Sequence, residues 1–465
     1  MTWNHPRTCK KLFPWNHAVV SLARSVVVGA VILRCIFLLG HHYFFWDSSS
    51  SSSSLLAQPL SNATTTTSTR RTPVRLTYRA QTKGNHQIFR ILQIADIHLG
   101  EEEATDWGPE QDRKTWIALD RILRAELSSS SSSQHTSREG SCIDLIVLTG
   151  DQLTANNVDT NATAYYQRLA RQLSSQYGIP FAMIFGNHDD QPLEYRDTNT
   201  NQTKTMPKAK TSRRQLVQSL APFDLSLTQA GPIEVFGVSN YWLEIFLSPP
   251  NNTPPSSSSS SVATRIVLLD SGGGMLPEQI TQSQLEWFTA QNNKNNNAAQ
   301  HRRVPVMAFV HIPAIQFTYT THPRTSSDVK ACYGDHFEGS SLATLQADAG
   351  LVPTLQQAGN VHVLAAGHMH GNSYCCRSST SHRDDNSSSS SLLHLCFGRH
   401  SGYGGYGHWE RGARVYELQM TTTAATVNAT TTTTTTTPNA WQFSWSSYVR
   451  LESGGIQDVY VPAAG

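Results

Sequence analysis

Five short apolar runs, each ending in a cluster of polar residues, constrain the fold of this chain more than any other feature. They read FRILQIADIH, DLIVLTGD, FAMIFGNHDD, VMAFVHIP and VHVLAAGHMHG. Short aliphatic runs of this kind are typical of strands that are buried on both faces. Longer amphipathic segments separate them and predict helices at residues 109–127, 164–177, 283–291 and 342–358. The alternation predicts an α/β fold.

A second group of segments has a more alternating polarity and predicts further strands. These segments read VFGVSNYWLEIFL, TRIVLLD, LLHLCFG, ARVYELQM and WQFSWSSYVRLE. Alternation of this kind suits an antiparallel or mixed sheet. We therefore expect two packed mixed sheets flanked by helices, with the five apolar strands in one sheet and the alternating strands in the other.

The composition indicates one folded domain that is interrupted by low-complexity runs, which cannot contribute to a core. Runs of serine or threonine occupy residues 48–54, 128–133, 256–261, 387–391 and 430–437. We expect a targeting segment at residues 1–46, a Ser/Thr-rich linker at 47–86, a folded domain with insertions at 87–420, and a Thr-rich segment with a C-terminal strand at 421–465. The net charge of +2 and the absence of a basic stripe give no indication of a nucleic-acid partner.

Residues 1–46 contain no Asp or Glu and combine basic residues with the apolar stretch AVVSLARSVVVGAVILRCIFLLG. Arg7, Lys10 and Lys11 precede this stretch, so the pattern predicts a signal anchor with its basic end in the cytosol. Arg24 and Arg34 interrupt it, and each costs about 2.5 to 3.5 kcal/mol at a bilayer centre unless it snorkels. A cleaved signal peptide or an organelle transit peptide is the alternative. We expect a membrane-anchored protein with its folded domain luminal or extracellular, or a secreted one.

Sequons and cysteines add weak support for a secretory route. Asn-x-Ser/Thr sequons occur at Asn62, Asn161, Asn201, Asn251, Asn386 and Asn428, which makes a glycoprotein an expectation. A disulfide from Cys375 or Cys376 to Cys396 would close the Ser-rich loop between them. Ordinary buried thiols are the alternative.

The five apolar runs deliver their polar side chains at the carboxyl ends of the predicted strands, where open α/β sheets bind ligands. Asp96 and His98 are two residues apart, as are His368 and His370, so an extended backbone points both members of each pair to one side. Imidazole, carboxylate and amide donors without cysteine suit Zn, Fe or Mn. Seven donors exceed one tetrahedral site, so we expect two metal ions, held by Asp96, His98, Asp151, Asn187, His311, His368 and His370.

The order of these motifs resembles that of the calcineurin-like metallophosphoesterases. The matching motifs are Asp-x-His at residues 96–98, Gly-Asp at 150–151, Gly-Asn-His-Asp at 186–189, His311, and Gly-His-x-His at 367–370. The ending CFGRHSGYGGYGHWERGARVYEL is similar to that of the non-purple, purple-acid-phosphatase-like proteins of plants and fungi, although GYGGYG alone would suit a plain loop. The resemblance spans residues 87–420 and implies the αββα fold of that superfamily.

The resemblance also implies a role for each matching residue. Asp96, His98 and His370 resemble the ligands of one metal ion. Asn187, His311 and His368 resemble the ligands of the other, and Asp151 would bridge the two. His188 would face the substrate, where it would protonate the leaving oxygen or stabilise phosphoryl charge. Asp189 would hold the ring of His188, or alternatively would cap the following segment.

The activity implied by the resemblance is hydrolysis of phosphomonoesters by direct attack of a metal-bound hydroxide, without a phosphoenzyme. The substrate would be a phosphorylated small molecule or protein. A phosphodiesterase or pyrophosphatase acting on nucleotides or lipid headgroups is the alternative, because loops select the substrate. A non-catalytic binding protein is a further alternative, although every expected ligand position is filled.

One position departs from the pattern of the purple acid phosphatases. Those enzymes owe their colour to a tyrosine that binds ferric iron, three residues after the bridging aspartate. This chain reads GDQLT and has Thr154 at that place, while His98 occupies a position that the purple enzymes do not use as a ligand. Neutral imidazole tolerates several divalent ions. We therefore expect a colourless protein with Zn, Mn or ferrous iron.

Overall fold

The structure is a computed structural model that describes residues 74–81, 85–128, 143–159, 161–249, 261–296, 303–319, 332–338, 343–378, 393–422 and 441–462. The predicted segment at residues 1–46 and the runs at 48–54 and 430–437 lie outside these ranges. Within the described ranges, no helix is both long and apolar enough to cross a membrane.

The strands, in chain order, are β1 (Leu76–Thr77), β2 (Arg79–Ala80), β3 (His86–Ile94), β4 (Leu145–Thr149), β5 (Phe181–Ile184), β6 (Glu194–Arg196), β7 (Thr203–Thr205), β8 (Tyr241–Phe246), β9 (Val262–Leu268), β10 (Gln279–Ile280), β11 (Val306–Phe309), β12 (Cys332–Tyr333), β13 (Ala347–Asp348), β14 (Val361–Ala366), β15 (Cys375–Arg377), β16 (His394–Phe397), β17 (Gly412–Thr422), β18 (Trp441–Leu451) and β19 (Ile456–Tyr460). The α-helices are Trp107–Ser128, Ala162–Arg171, Arg213–Ser219, Gln282–Asn296, Gln316–Tyr319 and Leu351–Ala358. A 3-10 turn covers Ala155–Asn157, and a π-helical segment, Gln172–Tyr177, continues the second helix.

These strands form two large mixed sheets. The seven-stranded sheet has the order β19-β18-β17-β3-β4-β5, with β2 also paired to β3. Its strands β3, β4 and β5 are parallel, and β17, β18 and β19 are antiparallel. The eight-stranded sheet has the order β1-β8-β9-β11-β14-β16-β15-β12, with a parallel centre from β9 to β16. Two short ribbons, β6-β7 and β10-β13, complete the described strands.

Three hydrophobic layers hold the sheets and helices together. The central layer lies between the sheets and includes Phe89, Ile91 and Val147 from one and Ile266, Phe309 and Val363 from the other. A second layer joins the outer face of the seven-stranded sheet to the helices that contain Leu119, Leu169 and Leu216. A third joins the eight-stranded sheet to the helices that contain Phe288, Phe317 and Leu355. The chain therefore has the expected αββα architecture.

The assignment of strands to sheets differs from the prediction. The five strands that precede the polar clusters do not share one sheet, because β3, β4 and β5 belong to the seven-stranded sheet and β11 and β14 to the eight-stranded one. The alternating strands are divided as well, with β17 and β18 in the first sheet and β8, β9 and β16 in the second. Local polarity does not reveal this division, since strands of either sheet have one face in the central layer.

The domain boundaries also differ from the predicted ones. Strands β1 and β2 lie inside the predicted linker at 47–86, yet they pair with β8 and β3. At the other end, the segment at 421–465 contributes two strands, β18 and β19, where one was predicted. Strand β18 pairs with β17 along its full length, so this hairpin is part of the seven-stranded sheet.

Three of the predicted helices are present, and the fourth begins later than expected. The helix predicted at 342–358 starts at Leu351, because the preceding strand β13 pairs with β10. The short helices Arg213–Ser219 and Gln316–Tyr319 were not predicted.

Two disulfides join neighbouring strands at one edge of the eight-stranded sheet. Cys375 and Cys396 are bonded, which confirms one of the two predicted alternatives, and Cys332 is bonded to Cys376, which was not predicted. In both pairs the cysteines face each other directly across antiparallel strands. Disulfides that close loops of these lengths contribute about 2 to 4 kcal/mol each. The other cysteines lie outside the described ranges.

Candidate metal centre

The predicted site residues converge from both sheets. Strand β3 is followed by Asp96 and His98, β4 by Asp151, and β5 by Asn187 and His188. In the second sheet, β11 is followed by His311 and β14 by His368 and His370. All of the predicted ligands except His368 are buried, and His368 is half-buried. The carboxyl ends of strands from two sheets therefore meet at one site.

The backbone at this site is strained. Asp96, His98, Asp151 and His368 have φ values of 55°, 51°, 52° and 73°, in the left-handed region that residues with a Cβ rarely adopt. Such strain costs about 1 to 3 kcal/mol per residue and concentrates at functional sites. The preceding Gly150 has φ 96°, and a Cβ there would lie 2.4 Å from His311 Nδ1. Tight turns thus aim these side chains at one point.

One group of donor atoms consists of Asp96, His98 and His370, whose ligand atoms all lie within 4.8 Å of one another. The Nε2 atoms of His98 and His370 are 3.2 Å apart. Asp96 Oδ1 lies 4.0 Å from His370 Nε2. The buried Asp96 Oδ2 has no hydrogen-bond partner. A buried carboxylate oxygen without a partner is costly unless a cation binds it.

A second group surrounds His311. Its Nε2 lies 2.9 Å from Asn187 Oδ1, 3.2 Å from Asp151 Oδ2 and 3.3 Å from His368 Nδ1. A single imidazole nitrogen has one proton or one lone pair and cannot satisfy three partners at once. The same Asp151 Oδ2 lies 3.6 Å from His98 Nε2, so it stands between the two groups. The donor set therefore fits two metal ions that share Asp151.

Hydrogen bonds fix the orientation of the candidate ligands. His311 Nδ1 donates to the carbonyl oxygen of Thr149 at 2.8 Å, and His370 Nδ1 donates to that of Tyr406 at 2.9 Å. Each bond occupies Nδ1, so Nε2 is the ring nitrogen that is placed to bind a metal. Burial lowers the pKa of His368 to about 3 and that of His370 to about 4, so both rings are neutral, which is the ligating form.

The pKa values of Asp96 and His311 are both raised. Burial raises the pKa of Asp96 to about 7. Burial disfavours the charged form of His311, but the Asp151 carboxylate, together with the charge of Asp96 and the hydrogen bond to Thr149, raises the pKa of His311 to about 9. A protonated His311 can take the place of a cation beside Asp151, and a metal ion would displace that proton.

Comparison with known proteins agrees with this geometry. The model of the calcineurin-like phosphoesterase family matches residues 89–372, which contain every predicted ligand. This chain belongs to the calcineurin-like phosphoesterase family. The buried His/Asp cluster described above is where this phosphoesterase can hold metal.

Two relatives and one solved structure are similar to this chain. It is 28% identical to probable inactive purple acid phosphatase 29 of Arabidopsis thaliana, over 71% of this chain and 77% of the relative. It is 26% identical to phosphatase DCR2 of Saccharomyces cerevisiae, over 71% of this chain and 52% of that longer protein. A dimetal phosphatase from Danio rerio aligns at 13% identity, with a TM-score of 0.36, over 71% of this chain and 94% of that one.

In this phosphoesterase His188 lies beside the first group of donors. Its ring is 4.9 Å from the ring of His98, edge to face, and a ring nitrogen lies within 4.8 Å of ligand atoms of His98 and Asp151. Its buried Nδ1 has no hydrogen-bond partner. The position is close enough for a role in metal binding as well as for the predicted contact with substrate.

Asp189 does not hold the ring of His188 in the structure. Its Oδ2 accepts from the amides of Asp151 at 3.0 Å and Gly186 at 2.7 Å. Its Oδ1 accepts from the Leu153 amide at 3.1 Å and the Tyr166 hydroxyl at 2.8 Å. The predicted contact is wrong because backbone amides of two loops already occupy both oxygens. Asp189 thus joins the Asp151 turn to the Asn187 turn.

Some residues that support the site were not found from the sequence. The ring of His370 lies between those of Tyr406 and His400, with centroid distances of 4.0 and 3.9 Å. Tyr406 belongs to the GYGGYG stretch, which alone is compatible with a plain loop. Buried Arg213 donates to Asp190 and Asp270 at 3.0 and 2.5 Å. It also donates to the carbonyl oxygen of Gly186 at 2.9 Å, beside Asn187. Arg213 lies in the polar stretch TSRRQ, so no local signal in the sequence marked it as a buried residue.

Proposed function

We propose that this protein is a phosphatase that hydrolyses phosphomonoesters with the aid of two metal ions. The observation that supports this most is the position of Asp151. One of its oxygens lies 3.2 Å from His311 Nε2 and 3.6 Å from His98 Nε2, so it stands between the two groups of donors. A carboxylate shared by two ligand groups is the arrangement that two adjacent metal ions require.

Each candidate ligand follows from the contacts above. One ion would be held by Asp96, His98 and His370, the other by Asn187, His311 and His368, and both by Asp151. The absence of cysteine and the number of imidazoles favour Zn, Mn or ferrous iron. When bound, such ions neutralise phosphate oxygens and lower the pKa of water into the neutral range.

The protein groups around the ions would do the remaining work. His188 is half-buried and adjacent to His98 and the shared Asp151, so it can donate a proton to the leaving oxygen or hydrogen-bond a phosphoryl oxygen. Asp189 and Arg213 would hold the backbone on which Asn187 and His188 lie. Transfer of the phosphoryl group directly to water needs no protein nucleophile.

A phosphodiesterase or pyrophosphatase is the second candidate, since the same donor set would serve it. A non-catalytic binding protein is a third, and three relatives from Arabidopsis thaliana carry the word inactive in their names. Against this third candidate, every ligand position of the family motif is filled in this chain and its donor atoms converge. Truncated ligand side chains would be expected of a decayed site.

We further propose a secretory location, with the protein anchored through residues 1–46 or secreted, and with glycans on its surface. Disulfides persist in oxidising compartments, and two are present. The sequon residues Asn161 and Asn201 are both exposed, as a glycan requires. A glycosidase-induced mobility shift of the protein from a eukaryotic host would support this route, and its absence would weigh against it.

The activity is tested on purified protein reconstituted separately with Zn, Mn and ferrous iron. The substrates are p-nitrophenyl phosphate, bis-p-nitrophenyl phosphate and ATP, and Asp151→Asn is the control for contaminating phosphatase. We expect two metal ions per chain and the highest kcat/KM on the monoester. Preference for the diester or ATP would favour the second candidate. Two bound metal ions without turnover of any substrate would favour a binding protein.

A further inference from the structure

We propose that an aromatic subsite beside the metal centre binds a planar aromatic group of the phosphoester substrate. This inference rests on the proposed phosphatase function and specifies its substrate class. The subsite consists of Phe337, Tyr406 and Trp409, and it is called the aromatic rim below.

The aromatic rim is built directly onto the candidate ligand His370. The ring of Tyr406 lies parallel to that of His370, at 4.0 Å and 11°. The rings of Phe337 and Trp409 are parallel to each other, at 5.8 Å and 5°. Tyr406 and Trp409 meet edge to face at 6.4 Å. The three rings therefore form one continuous group that begins at a metal ligand.

Backbone contacts fix the rim at Gly371, the residue after His370. The amide of Phe337 donates to the carbonyl oxygen of Gly371 at 3.1 Å. The amide of Gly371 donates to Glu338 at 3.1 Å, and the Tyr406 hydroxyl donates to the other oxygen of Glu338. A Cβ on Gly371 would lie 2.7 Å from Trp409, so only glycine allows the indole to approach this closely.

The rim is exposed although its rings are large and apolar. Phe337 is 53% exposed and Tyr406 is 50% exposed. Ordered aromatic rings that face solvent next to a reaction centre mark a binding surface, because burial of their free area would stabilise a complex. The phosphoryl group would lie at the metal centre, and the rest of the substrate would extend over the rim.

The arrangement of the rings favours a flat partner over a cation. Rings that bind a quaternary ammonium surround it and turn their faces toward one point. Here Phe337 and Trp409 stack on each other, and the Arg399 guanidinium already lies 5.8 Å from the centre of the Phe337 ring. A nucleobase or a phenyl ring can extend this parallel arrangement.

Matched substrate pairs test this inference without a bias from leaving-group chemistry. Adenosine 5′-monophosphate and ribose 5-phosphate have the same leaving oxygen and differ in the base. 2-Phenylethyl phosphate and ethyl phosphate, both esters of primary alcohols, test an aryl group in place of a base, and phosphocholine tests a cation. We expect the wild-type enzyme to have a higher kcat/KM for the member with a planar group. The pair with the larger difference in kcat/KM shows whether the planar group is a nucleobase or a phenyl ring.

The variants show whether the rim is responsible. Phe337→Ala should lower the ratio of kcat/KM within the preferred pair about tenfold, as expected for loss of one stacking partner. Phe337→Tyr should retain the ratio, and Ile117→Ala, on the outer surface of the helix Trp107–Ser128, is the control for loss of an exposed apolar residue. Circular dichroism and metal content establish that each variant is folded.

The outcomes separate this inference from the proposed function. If the wild-type enzyme hydrolyses no phosphomonoester, the proposed function fails first. If it is active but both members of each pair have equal kcat/KM, or if Phe337→Ala leaves the ratio unchanged, the aromatic subsite is wrong while the phosphatase stands. A preference for phosphocholine would indicate that the aromatic rim binds a cation and not a planar group.

Discussion

The hydroxyl of Thr154 lies 3.1 Å from Nδ1 of His98, on the side of the ring away from His370. The sequence places Thr154 where purple acid phosphatases have their iron-binding tyrosine, and the structure gives it a contact with a candidate ligand. A hydroxyl in this position orients the imidazole and contributes no phenolate for ferric iron.

We therefore expect metal-replete protein to be colourless and active with two divalent ions. A visible absorption spectrum checks this on samples whose metal content has been measured. An intense band in the purple region would mean that another tyrosine binds ferric iron, and the role of His98 would have to be revised. Thr154→Val should keep the shape of the side chain and weaken metal binding by roughly 10- to 100-fold.

Tyr406 is predicted to position His370 through its ring. Tyr406→Ala removes the ring that lies 4.0 Å from His370, and we expect metal affinity to fall by about 10- to 100-fold. Tyr406→Phe keeps the ring and the backbone carbonyl and loses only the hydroxyl, which donates to Glu338 and accepts from the His370 amide at 3.4 Å, so its affinity should stay near wild type. Competition with a chelator measures both. Equal losses in the two variants would assign the effect to the hydroxyl instead.

Asp151→Asn and His188→Ala are expected to have different effects. An amide cannot supply an anionic oxygen to two ions, so Asp151→Asn should lower metal content and nearly abolish turnover. His188→Ala should retain both ions and lower turnover by about 10² to 10⁴, as for loss of a general acid. Metal analysis alongside steady-state kinetics distinguishes them. Loss of metal from His188→Ala would identify His188 as a ligand, which its position within 4.8 Å of the donors allows.

Asp189 is predicted to act through the backbone and not through His188. Asp189→Asn replaces an oxygen that accepts from two amides with a donor, and we expect turnover to fall by roughly 10- to 100-fold. The same factor should appear when the substitution is made in His188→Ala, since the two effects are independent. An effect of Asp189→Asn that disappears in the His188→Ala background would show that Asp189 acts on the ring after all.

The folded domain is predicted to begin near residue 74. Protein lacking residues 1–73, made in a host that forms disulfides, should be soluble and active. Removing residues 1–80 also removes β1, β2, the Tyr78 hydrogen bond to Thr264 at 2.7 Å and the Arg79 ion pair with Asp144 at 2.8 Å. Leaving Asp144 without this partner should lower the free energy of unfolding by about 3 kcal/mol or more, measured by denaturant titration. Equal stability of the two proteins would contradict the role of β1 and β2.

The strands that carry the site could be predicted because their signal is local. An aliphatic run shows that a strand is buried, and the polar residues that follow it show where the strand ends. Asp96, Asp151, Asn187, His311 and His368 were all found in this way. Their joint placement at one edge followed from a general property of parallel strands, that ligands bind at their carboxyl ends.

Pairing between distant segments could not be predicted, because it depends on which surfaces meet during folding. The polarity of a strand is the same whether it joins one sheet or the other, so the division of β3, β4 and β5 from β11 and β14 has no local sequence signal. The bond between Cys332 and Cys376 likewise depends on β12 lying beside β15. Strands β1 and β2 follow a Ser/Thr-rich segment and were not predicted, and the partner of β1, strand β8, lies far along the chain.

By itself, the sequence indicated an α/β fold, the strand ends and a set of candidate metal-binding donors, because spacing and residue chemistry set these within a few residues, and its resemblance to a known family implied the αββα class. Only the tertiary structure decided which groups support those donors. Asp189 bonds to backbone amides instead of His188, and Tyr406 lies on His370 from 36 residues away. Such contacts arise when separate loops are brought to one edge by two packed sheets, and no local pattern records which loops will meet there.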